Sequence, residues 1–504
     1  MPDILLSTLN ARYNHSSLGL RYLLANLGKF QANASILEFT IAMRPIDIVE
    51  QILAQQAKIV GLGVYIWNSV ETTEVVALLK ALAPEIYIVL GGPEVSYEAE
   101  EQAIVHLADY VICGSGEINF RELCGQLLEG NPPPEKIIRA ISPPLDQLQL
   151  PYALYTDEDL QNRFVYVEAS RGCPFKCEFC LSALDKTAWP FELENFLTAM
   201  DQLWQRGLRH FKFVDRTFNL KITTTLAILD FFLARLDEKT FLHFELIPDH
   251  LPEALKTKIQ QFPAGSLQFE IGIQTFNPEI QKIISRKQDN AKSEENLRWL
   301  REQSHAHLHT DLIFGLPEET LDSFAQGFNR LIALNPHEIQ VGILKRLRGA
   351  PIIRHTQDSQ MVYNPRPPYN ILKNSVIDFT TVQQMNRFAR YWDMIGNSGR
   401  FEQTRPLLLG DNPFARFWLL SEQLYQRSQQ THQIALPRLF KLVHEIALEH
   451  LQIPRDRLEK ALLADYAKTG QKGAIPFLEG QVLYQEQKGV KDARHQRQRR
   501  NLPA

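Results

Sequence analysis

The sequence predicts an α/β protein in three parts: a doubly wound parallel sheet, a partial β/α barrel, and a mainly α-helical C-terminal region. Three observations predict it. Short, continuous apolar runs alternate with helical periodicity over the first 130 residues, a second series of six such runs follows a proline-rich break, and the alternation stops near residue 360. Continuous apolar runs separated by helices are the pattern of parallel strands covered on both faces.

In the first part the apolar runs are Ile4 to Leu6, Ala34 to Leu37, Ile59 to Val64, Ile86 to Leu90 and Tyr110 to Cys113, with helical periodicity between them at Leu18 to Leu27 and Val70 to Leu82. Glycines follow three of these runs, at Gly63, at Gly91-Gly92 and at Gly114-Ser115-Gly116. Sheets of this flavodoxin/Rossmann-like kind bind their ligands at the carboxyl ends of the strands. Asn131-Pro132-Pro133-Pro134 and Ser142-Pro143-Pro144 mark a linker. The second series has strands at Phe164 to Glu168, His210 to Val214, Leu242 to Leu246, Leu267 to Ile273, His307 to Phe314 and Glu338 to Leu344, the spacing of βα units in a barrel. Beyond Pro365, Pro367 and Pro368, helices are expected at Thr381 to Trp392, Pro413 to Gln426 and Arg438 to Leu451. The domains are therefore drawn at 1–135, a linker at 136–160, 161–358, 359–484, and a basic tail at 485–504. The tail holds Lys488, Lys491, Arg494, Arg497, Arg499 and Arg500 and reads as solvated.

At roughly 150 residues per domain, 504 residues suggest about three domains. Hydrophobic residues at 44% and charged residues at 22% fit a globular chain and exclude wholesale disorder or a coiled-coil rod. Lys+Arg at 54 against Asp+Glu at 58 leaves a net charge of −4, so nucleic acid is not expected as a partner. No run of 18 apolar residues occurs, and the Met1-Pro2-Asp3 start lacks the basic flank of a signal peptide. No membrane association and a cytoplasmic location are expected.

Of five cysteines, three fall within eight residues, in Arg171-Gly172-Cys173-Pro174-Phe175-Lys176-Cys177-Glu178-Phe179-Cys180. This C-x3-C-x2-C loop directly follows the first strand of the second series. Three thiolates there can hold three irons of a cubane and leave the fourth iron open. A fully protein-ligated cluster needs a fourth thiolate, and no cysteine follows Cys180. A structural zinc site also takes four ligands, and one of the 14 histidines could complete it.

On these residues the region 160–350 resembles the radical S-adenosylmethionine (radical SAM) superfamily. The resemblance implies a single [4Fe-4S] cluster on Cys173, Cys177 and Cys180. S-adenosylmethionine (SAM) on its open iron would be cleaved reductively to a 5′-deoxyadenosyl radical, with electrons from an external donor such as flavodoxin or ferredoxin. Phe179 sits where that family places an aromatic near the adenine. Phe211-Lys212-Phe213-Val214-Asp215 ends the strand that contacts the methionyl moiety. Further motifs resemble the oxygen-independent coproporphyrinogen oxidase branch: Phe244-Glu245-Leu246, Gly272-Ile273-Gln274-Thr275-Phe276, Arg286 twelve residues after Gln274, and Asp311-Leu312-Ile313-Phe314-Gly315-Leu316-Pro317. Glu245, Gln274, Arg286 and Asp311 are implied as SAM contacts. The residue types suit it: acids accept from the ribose diol or ammonium, and a guanidinium grips a carboxylate in bidentate fashion.

The first domain resembles the cobalamin (B12)-binding domain of B12-dependent radical SAM proteins, on Gly61-Leu62-Gly63, Gly91-Gly92-Pro93-Glu94 and Gly114-Ser115-Gly116-Glu117. Glu94 and Ser115 replace the His and Glu usual in that family. The resemblance implies cobalamin contacts at Trp67, Asn68, Gly91, Gly92, Glu94, Gly114, Gly116 and Glu117. The D-x-H-x-x-G signature of histidine-ligated cobalamin is absent. His15 reads as a loop or cap residue, so the lower face of cobalamin would carry no histidine. The third part resembles the C-terminal domain of unknown function of some B12-binding radical SAM proteins, on Arg387-Phe388-Ala389-Arg390-Tyr391-Trp392-Asp393 and Asn397-Ser398-Gly399-Arg400-Phe401.

Domain order and resemblance favour transfer of a methyl group from cobalamin to an unactivated carbon of a small molecule or peptide. A deoxyadenosyl radical first removes a hydrogen atom, and a second SAM remethylates the cobalamin. The alternatives are a cobalamin-dependent cyclase or isomerase, and a non-catalytic cobalamin or iron–sulfur sensor. The open iron favours chemistry over sensing or electron carriage. A methylthiotransferase carries three cysteines in its first domain, whereas only Cys113 and Cys124 occur here. A SPASM-type auxiliary cluster would need cysteines after Cys180.

Overall fold

The computed structural model describes residues 1–185, 187–478 and 482–483; the basic tail lies outside them. The chain divides into two compact units. The first is Met1–Phe244 with Lys345–Ile353 and Asn364–Asn370; the second is Glu245–Leu344 with Arg354–Tyr363 and the chain from Ile371 onward.

In the first unit, β1 (Ile4–Asn10), β2 (Ala34–Thr40), β3 (Ile59–Gly63), β4 (Tyr87–Gly91), β5 (Tyr110–Cys113) and β6 (Ile137–Arg139) form a parallel sheet in the order β2-β1-β3-β4-β5-β6. That order is flavodoxin-like, with the direction of winding reversing between β1 and β3. Alternate residues feed opposite faces. Leu5, Leu9, Val60, Leu62, Ile88 and Leu90 join one apolar core, while Ile4, Leu6, Ile59 and Val89 join the other. This is why β1, buried at every position, reads as an unbroken apolar run rather than an alternation. The helix Leu18–Ala25 covers one face. It starts where the Ser17 side chain accepts from the Leu20 N–H at 3.3 Å.

The middle of the chain supplies further parallel strands. In the first unit β7 (Val165–Val167) pairs with β8 (His210–Phe213), and β8 with β9 (Phe241–Leu246), whose last residues open the second unit. In the second unit β10 (Leu267–Gln274) pairs with β11 (His307–Phe314), and β11 with β12 (Glu338–Ile343). On β10 and β11 one face is apolar (Phe269, Ile271, Leu308, Leu312), and the other carries Gln268, Glu270, Gln274, His307, His309 and Asp311. Among the described residues no helix is long and apolar enough to cross a membrane.

The C-terminal region is mainly helical, with helices Phe379–Ile395, Pro413–Ser428, Leu436–Glu449 and Arg455–Ala467. Its aromatics are core. Trp392 packs edge-on to Phe328 (4.9 Å) and Phe417 (5.0 Å), and its indole N–H donates to the Ile339 carbonyl of β12 at 2.9 Å. Asn397 Nδ2 donates to the same carbonyl, also at 2.9 Å. Trp392→Phe therefore leaves that carbonyl satisfied but opens a small cavity. A loss of about 1–2 kcal/mol is expected, read as a lower urea midpoint.

Among the elements that were not expected, two show why. β6 is a half-buried, three-residue edge strand with no periodicity to detect. The helix Arg455–Ala467 opens on Arg-Asp-Arg, which hides its apolar positions Leu458 and Leu462, buried in the structure.

Candidate cofactor site

The cysteine loop hangs from β7 in the first unit. Ser170 and Arg171 pair antiparallel with Pro190 and Trp189, so the loop leaves and returns at one place. Gly172, at φ 89°, sits against the Thr187 carbonyl where a Cβ would collide, so only glycine fits the turn before Cys173. Cys173 is buried, and Cys177 and Cys180 are half-buried; none of the three is in a disulfide. The Cys180 N–H donates to the Cys177 carbonyl at 3.1 Å, which turns the loop between the last two thiols. Among the described residues no three His, Cys, Asp or Glu side chains converge as ligands of one metal ion would. Thiolates that each bind a different iron of a cubane do not converge in that way either. Three thiols on one loop, none in a disulfide, therefore suit a [4Fe-4S] cluster. Phe179 lies half-buried beside Cys180.

Asp215, just past β8, is buried. It accepts from the Ala169 N–H at 2.9 Å and from the Ser170 hydroxyl at 2.6 Å, and so fixes the residues that lead into the loop. Burial pushes its carboxyl up to about 7 despite these donors. Since an unfolded Asp titrates near ~3.9, the folded protein binds this proton more tightly, and stability falls as pH rises from about 4 to about 7. Asp215→Asn can keep both contacts, because Ser170 can turn to accept. Thermal unfolding of the variant is expected to lose part of that slope and to gain on the order of 1–3 kcal/mol relative to the parent at pH 8. An identical pH profile for the two proteins would refute the assignment.

Arg171 ties the loop to the first domain. Its Nε donates to Glu168 at 2.8 Å, its NH1 donates to Glu117 at 2.6 Å, and its guanidinium lies 4.4 Å over the Tyr22 ring. Glu117 starts the helix Glu117–Leu128 directly after the Gly114–Gly116 turn, and its Oε2 is buried without a hydrogen-bond partner. The sequence motifs assign Arg171 no role; its place beside Gly172-Cys173 is the signal that could have.

At the switch point between β1 and β3, Asn68 is fully buried. It accepts from the Tyr65 N–H at 2.7 Å and donates to the carbonyls of Leu9 (3.0 Å) and Gly63 (3.1 Å). Its amide knits the two strand ends together. Trp67 is 45% exposed, with its ring stacked on Tyr65 at 4.5 Å, leaving an indole face open at the carboxyl end of the sheet. Gly92, at φ 106°, has the Val64 carbonyl where its Cβ would be, so the backbone is bare there; Gly91 and Gly116 have no such crowding. A bare, glycine-lined sheet end beside an exposed indole fits a large planar ring such as corrin. Glu94 is buried and already engaged: the Tyr369 hydroxyl donates to it at 2.5 Å and Arg348 Nε at 3.1 Å. Glu98 pairs with Arg346 (2.8 Å) and Arg348 (3.1 Å), forming a charge cluster that no sequence motif announces. His15 meets the Tyr166 hydroxyl through Nδ1 at 2.5 Å. Cys113 and Cys124 are core residues, and burial pushes the Cys124 thiol up to about 12.

In the second unit, Gly272 of β10 lies opposite Asp311 of β11. Arg286 donates to the Gly272 carbonyl, and its Nε is held by Gln288 at 3.0 Å. Gln274 ends β10 at φ 68°, with its Oε1 buried and lacking a hydrogen-bond partner. An orphaned amide oxygen beside an oriented guanidinium and a carboxylate suits a ligand rich in polar groups, such as SAM. Glu245 is half-buried on β9. Behind Asp311, His309 Nε2 lies 3.3 Å from its Oδ1, while His309 Nδ1 lies 3.2 Å from Glu338. Burial opposes charge on His309, but the two carboxylates outweigh it and raise the imidazole to about 10. Asp311 thus faces an imidazolium. The structure groups Gln274, Arg286 and Asp311 around Gly272, and separately groups Asp215 with the residues that lead into the cysteine loop.

A family model described as a B12 binding domain matches residues 5–124, one for the radical SAM superfamily matches 167–331, and one for a protein of unknown function, DUF4080, matches 357–503. The chain is 26% identical over 327 residues to the cobalamin-dependent radical SAM methyltransferase TokK of Streptomyces tokunonensis, covering 58% of this chain and 48% of that protein. It is 33% identical over 113 residues to oxygen-independent coproporphyrinogen III oxidase of Paracoccus denitrificans, covering 22% and 24%. The chain thus spans about half the length of TokK and about a quarter of the oxidase. Its fold is similar to that of the methyltransferase TsrM from Kitasatospora setae, solved with cobalamin and a [4Fe-4S] cluster bound: TM-score 0.61, 15% identity, covering 94% of this chain and 100% of that one.

Proposed function

We propose, from the premise that this chain is a radical SAM protein with a B12-binding domain ahead of its radical SAM domain and a DUF4080 domain after it, that it is a cobalamin-dependent methyltransferase acting on an unactivated carbon of a small molecule or peptide. The observation that carries this reading is Arg171, which joins the strand leading to the cysteine loop (Glu168) to the helix start at the glycine-rich end of the first domain (Glu117). A guanidinium shared in this way holds two candidate cofactor sites in one compact unit. In this reading residues 1–135 hold cobalamin, at Trp67, Asn68, Gly91, Gly92, Glu94, Gly114, Gly116 and Glu117. Residues 161–358 hold one cluster, on Cys173, Cys177 and Cys180, and SAM, at Phe179, Asp215, Glu245, Gln274, Arg286 and Asp311. When bound, the reduced cluster and SAM supply a radical that removes a hydrogen atom from the substrate, and cobalamin supplies the methyl group.

The chain's own residues bind and orient. Arg286, fixed by Gln288, offers donors to the SAM carboxylate. Gln274 offers its orphaned oxygen to an ammonium or hydroxyl. Asp311, beside His309, offers its carboxylate oxygens to a hydroxyl or ammonium. An external low-potential donor of the flavodoxin or ferredoxin kind delivers the electron. That none of the five cysteines is in a disulfide suits the reducing cytoplasm.

The test is anaerobic turnover with SAM labelled at its methyl carbon, after a corrinoid absorption spectrum of the purified protein. Label on the corrinoid and on a product supports methyl transfer. Label on the corrinoid but never on any product, with turnover observed, overturns it in favour of a cyclase or isomerase. Binding of no corrinoid form removes cobalamin from the mechanism altogether.

A further inference from the structure

The second unit contains a cavity of about 230 Å³ beside the start of β12. Asn335 and His337 line it from the barrel region. Trp392, Arg405, Leu409 and Pro413 line it from within the DUF4080 match.

Its lining holds one guanidinium and one imidazole, on Arg405 and His337, and no acidic residue. Arg405 is part-buried and donates from NH1 to the Gly396 carbonyl at 3.1 Å, and no carboxylate lies within ion-pair reach of it. The acid whose field it feels, Glu402, is itself paired with Lys468 at 2.9 Å. Arg301 is close enough to oppose the charge on Arg405. Its Nε donates to the Asn335 carbonyl at 2.8 Å, and it too has no carboxylate partner. His337 Nδ1 accepts from the Leu308 N–H at 3.0 Å, so its ring proton sits on Nε2, leaving that edge as a donor. Burial, with His307, Arg301 and Arg405 nearby, holds this imidazole neutral despite Glu338. A part-buried guanidinium with no carboxylate partner costs free energy that a bound anion would recover. A guanidinium meets carboxylate or phosphate oxygens in bidentate fashion. Trp392, Leu409 and Pro413 add apolar lining.

We propose that this cavity is a binding site for a small oxyanion, a carboxylate or phosphate group on a short apolar body. Arg405 is its main ligand, with His337 in support, and Arg301, outside the lining, contributes only its positive field. The volume equals that of about eight waters at ~30 Å³ each, which admits such a molecule and excludes a corrin. The DUF4080 region would then contribute the arginine and the apolar wall that complete a pocket on the barrel.

The test is calorimetric titration of the full chain at low ionic strength, with inorganic phosphate in one series and 3-methylbutanoate in the other. Parent, Arg405→Gln and Arg301→Gln are compared, each checked for folding by circular dichroism. Saturable binding is expected at a Kd of about 1 mM or tighter for at least one probe. Arg405→Gln is expected to weaken it at least about tenfold, and Arg301→Gln about threefold. Tighter binding of phosphate identifies a phosphate ester as the ligand class, and tighter binding of 3-methylbutanoate a carboxylic acid. If Arg405→Gln does not fold, Arg301→Gln with the salt dependence of parent binding decides. No saturable binding by either probe, or folded variants that bind like the parent, would overturn the proposal. None of these readouts depends on methyl transfer.

Discussion

Cys177→Ala is expected to yield a folded protein that retains no [4Fe-4S] cluster after anaerobic reconstitution and forms no 5′-deoxyadenosine from SAM above background. The thiol is half-buried on a loop, so its removal opens no cavity in a packed core and costs little stability. The cluster, by contrast, loses one of three protein ligands, and no other cysteine can replace it. Cys113 and Cys124 are buried in the core of the first domain, and a thiol that burial pushes up to about 12, as at Cys124, does not supply a thiolate at neutral pH. Cys124→Ala is the matched control. It is expected to keep the cluster and lose about 1–2 kcal/mol of stability, from a small cavity in the first domain's core. Iron and sulfide analysis and chromatography of the nucleoside check both variants. A full cluster in Cys177→Ala would dismiss the ligand assignment. Cluster loss in Cys124→Ala with the fold intact would point to a thiol the assignment omits.

The parts legible in the sequence were those whose information is local. The strands of the first sheet announce themselves because they are buried on both faces, and the cysteines because three reactive groups within eight residues have few other uses. Trp67 and Gly92 stand out in the sequence for the same reason, as strand-end residues whose type is costly without a purpose. What the sequence concealed depends on partners brought together by folding. Glu94 and Arg348 are 254 positions apart, so their pairing has no local signature. Glu94 was singled out as a cobalamin contact that departs from the family's usual His, and the structure shows what its carboxylate engages: the Arg348 guanidinium and the Tyr369 hydroxyl. Likewise His309 looked like one alternating residue of a strand, and only its pairing with Glu338 on the neighbouring strand reveals the charge behind Asp311. The cavity at Arg405 was illegible for a further reason. Its meaning lies in a carboxylate that is not there, and sequence patterns record presence.

Arg171→Ala is expected to be the most destabilising single substitution in the first unit outside its apolar core. The guanidinium neutralises two carboxylates that are themselves nearly inaccessible, Glu117 and Glu168, at 6% and 9% exposure. It also covers the Tyr22 ring. Removing it leaves both acids buried and unpaired, which costs about 3–5 kcal/mol, well above the loss of side-chain packing alone. The sign of the pH dependence separates the two contributions. Burial already holds the Glu168 carboxyl above its ordinary value despite Arg171, and without the guanidinium it rises further, so the folded form takes up a proton and the variant's deficit narrows as pH falls from 8 toward 5. A pure packing defect would be independent of pH. Glu117→Gln combined with Glu168→Gln in the Arg171→Ala background removes the unpaired charges and is expected to restore most of the loss, whereas Arg171→Lys is expected to recover only part, because one ammonium cannot match the geometry of the fork. Thermal unfolding of the parent and these three variants at two pH values checks the set. If the triple variant is no more stable than Arg171→Ala, charge is not what Arg171 contributes. The bridge between the cysteine loop and the glycine-rich end of the first domain would then be a matter of shape, carried by Tyr22 and the aliphatic stem of the arginine.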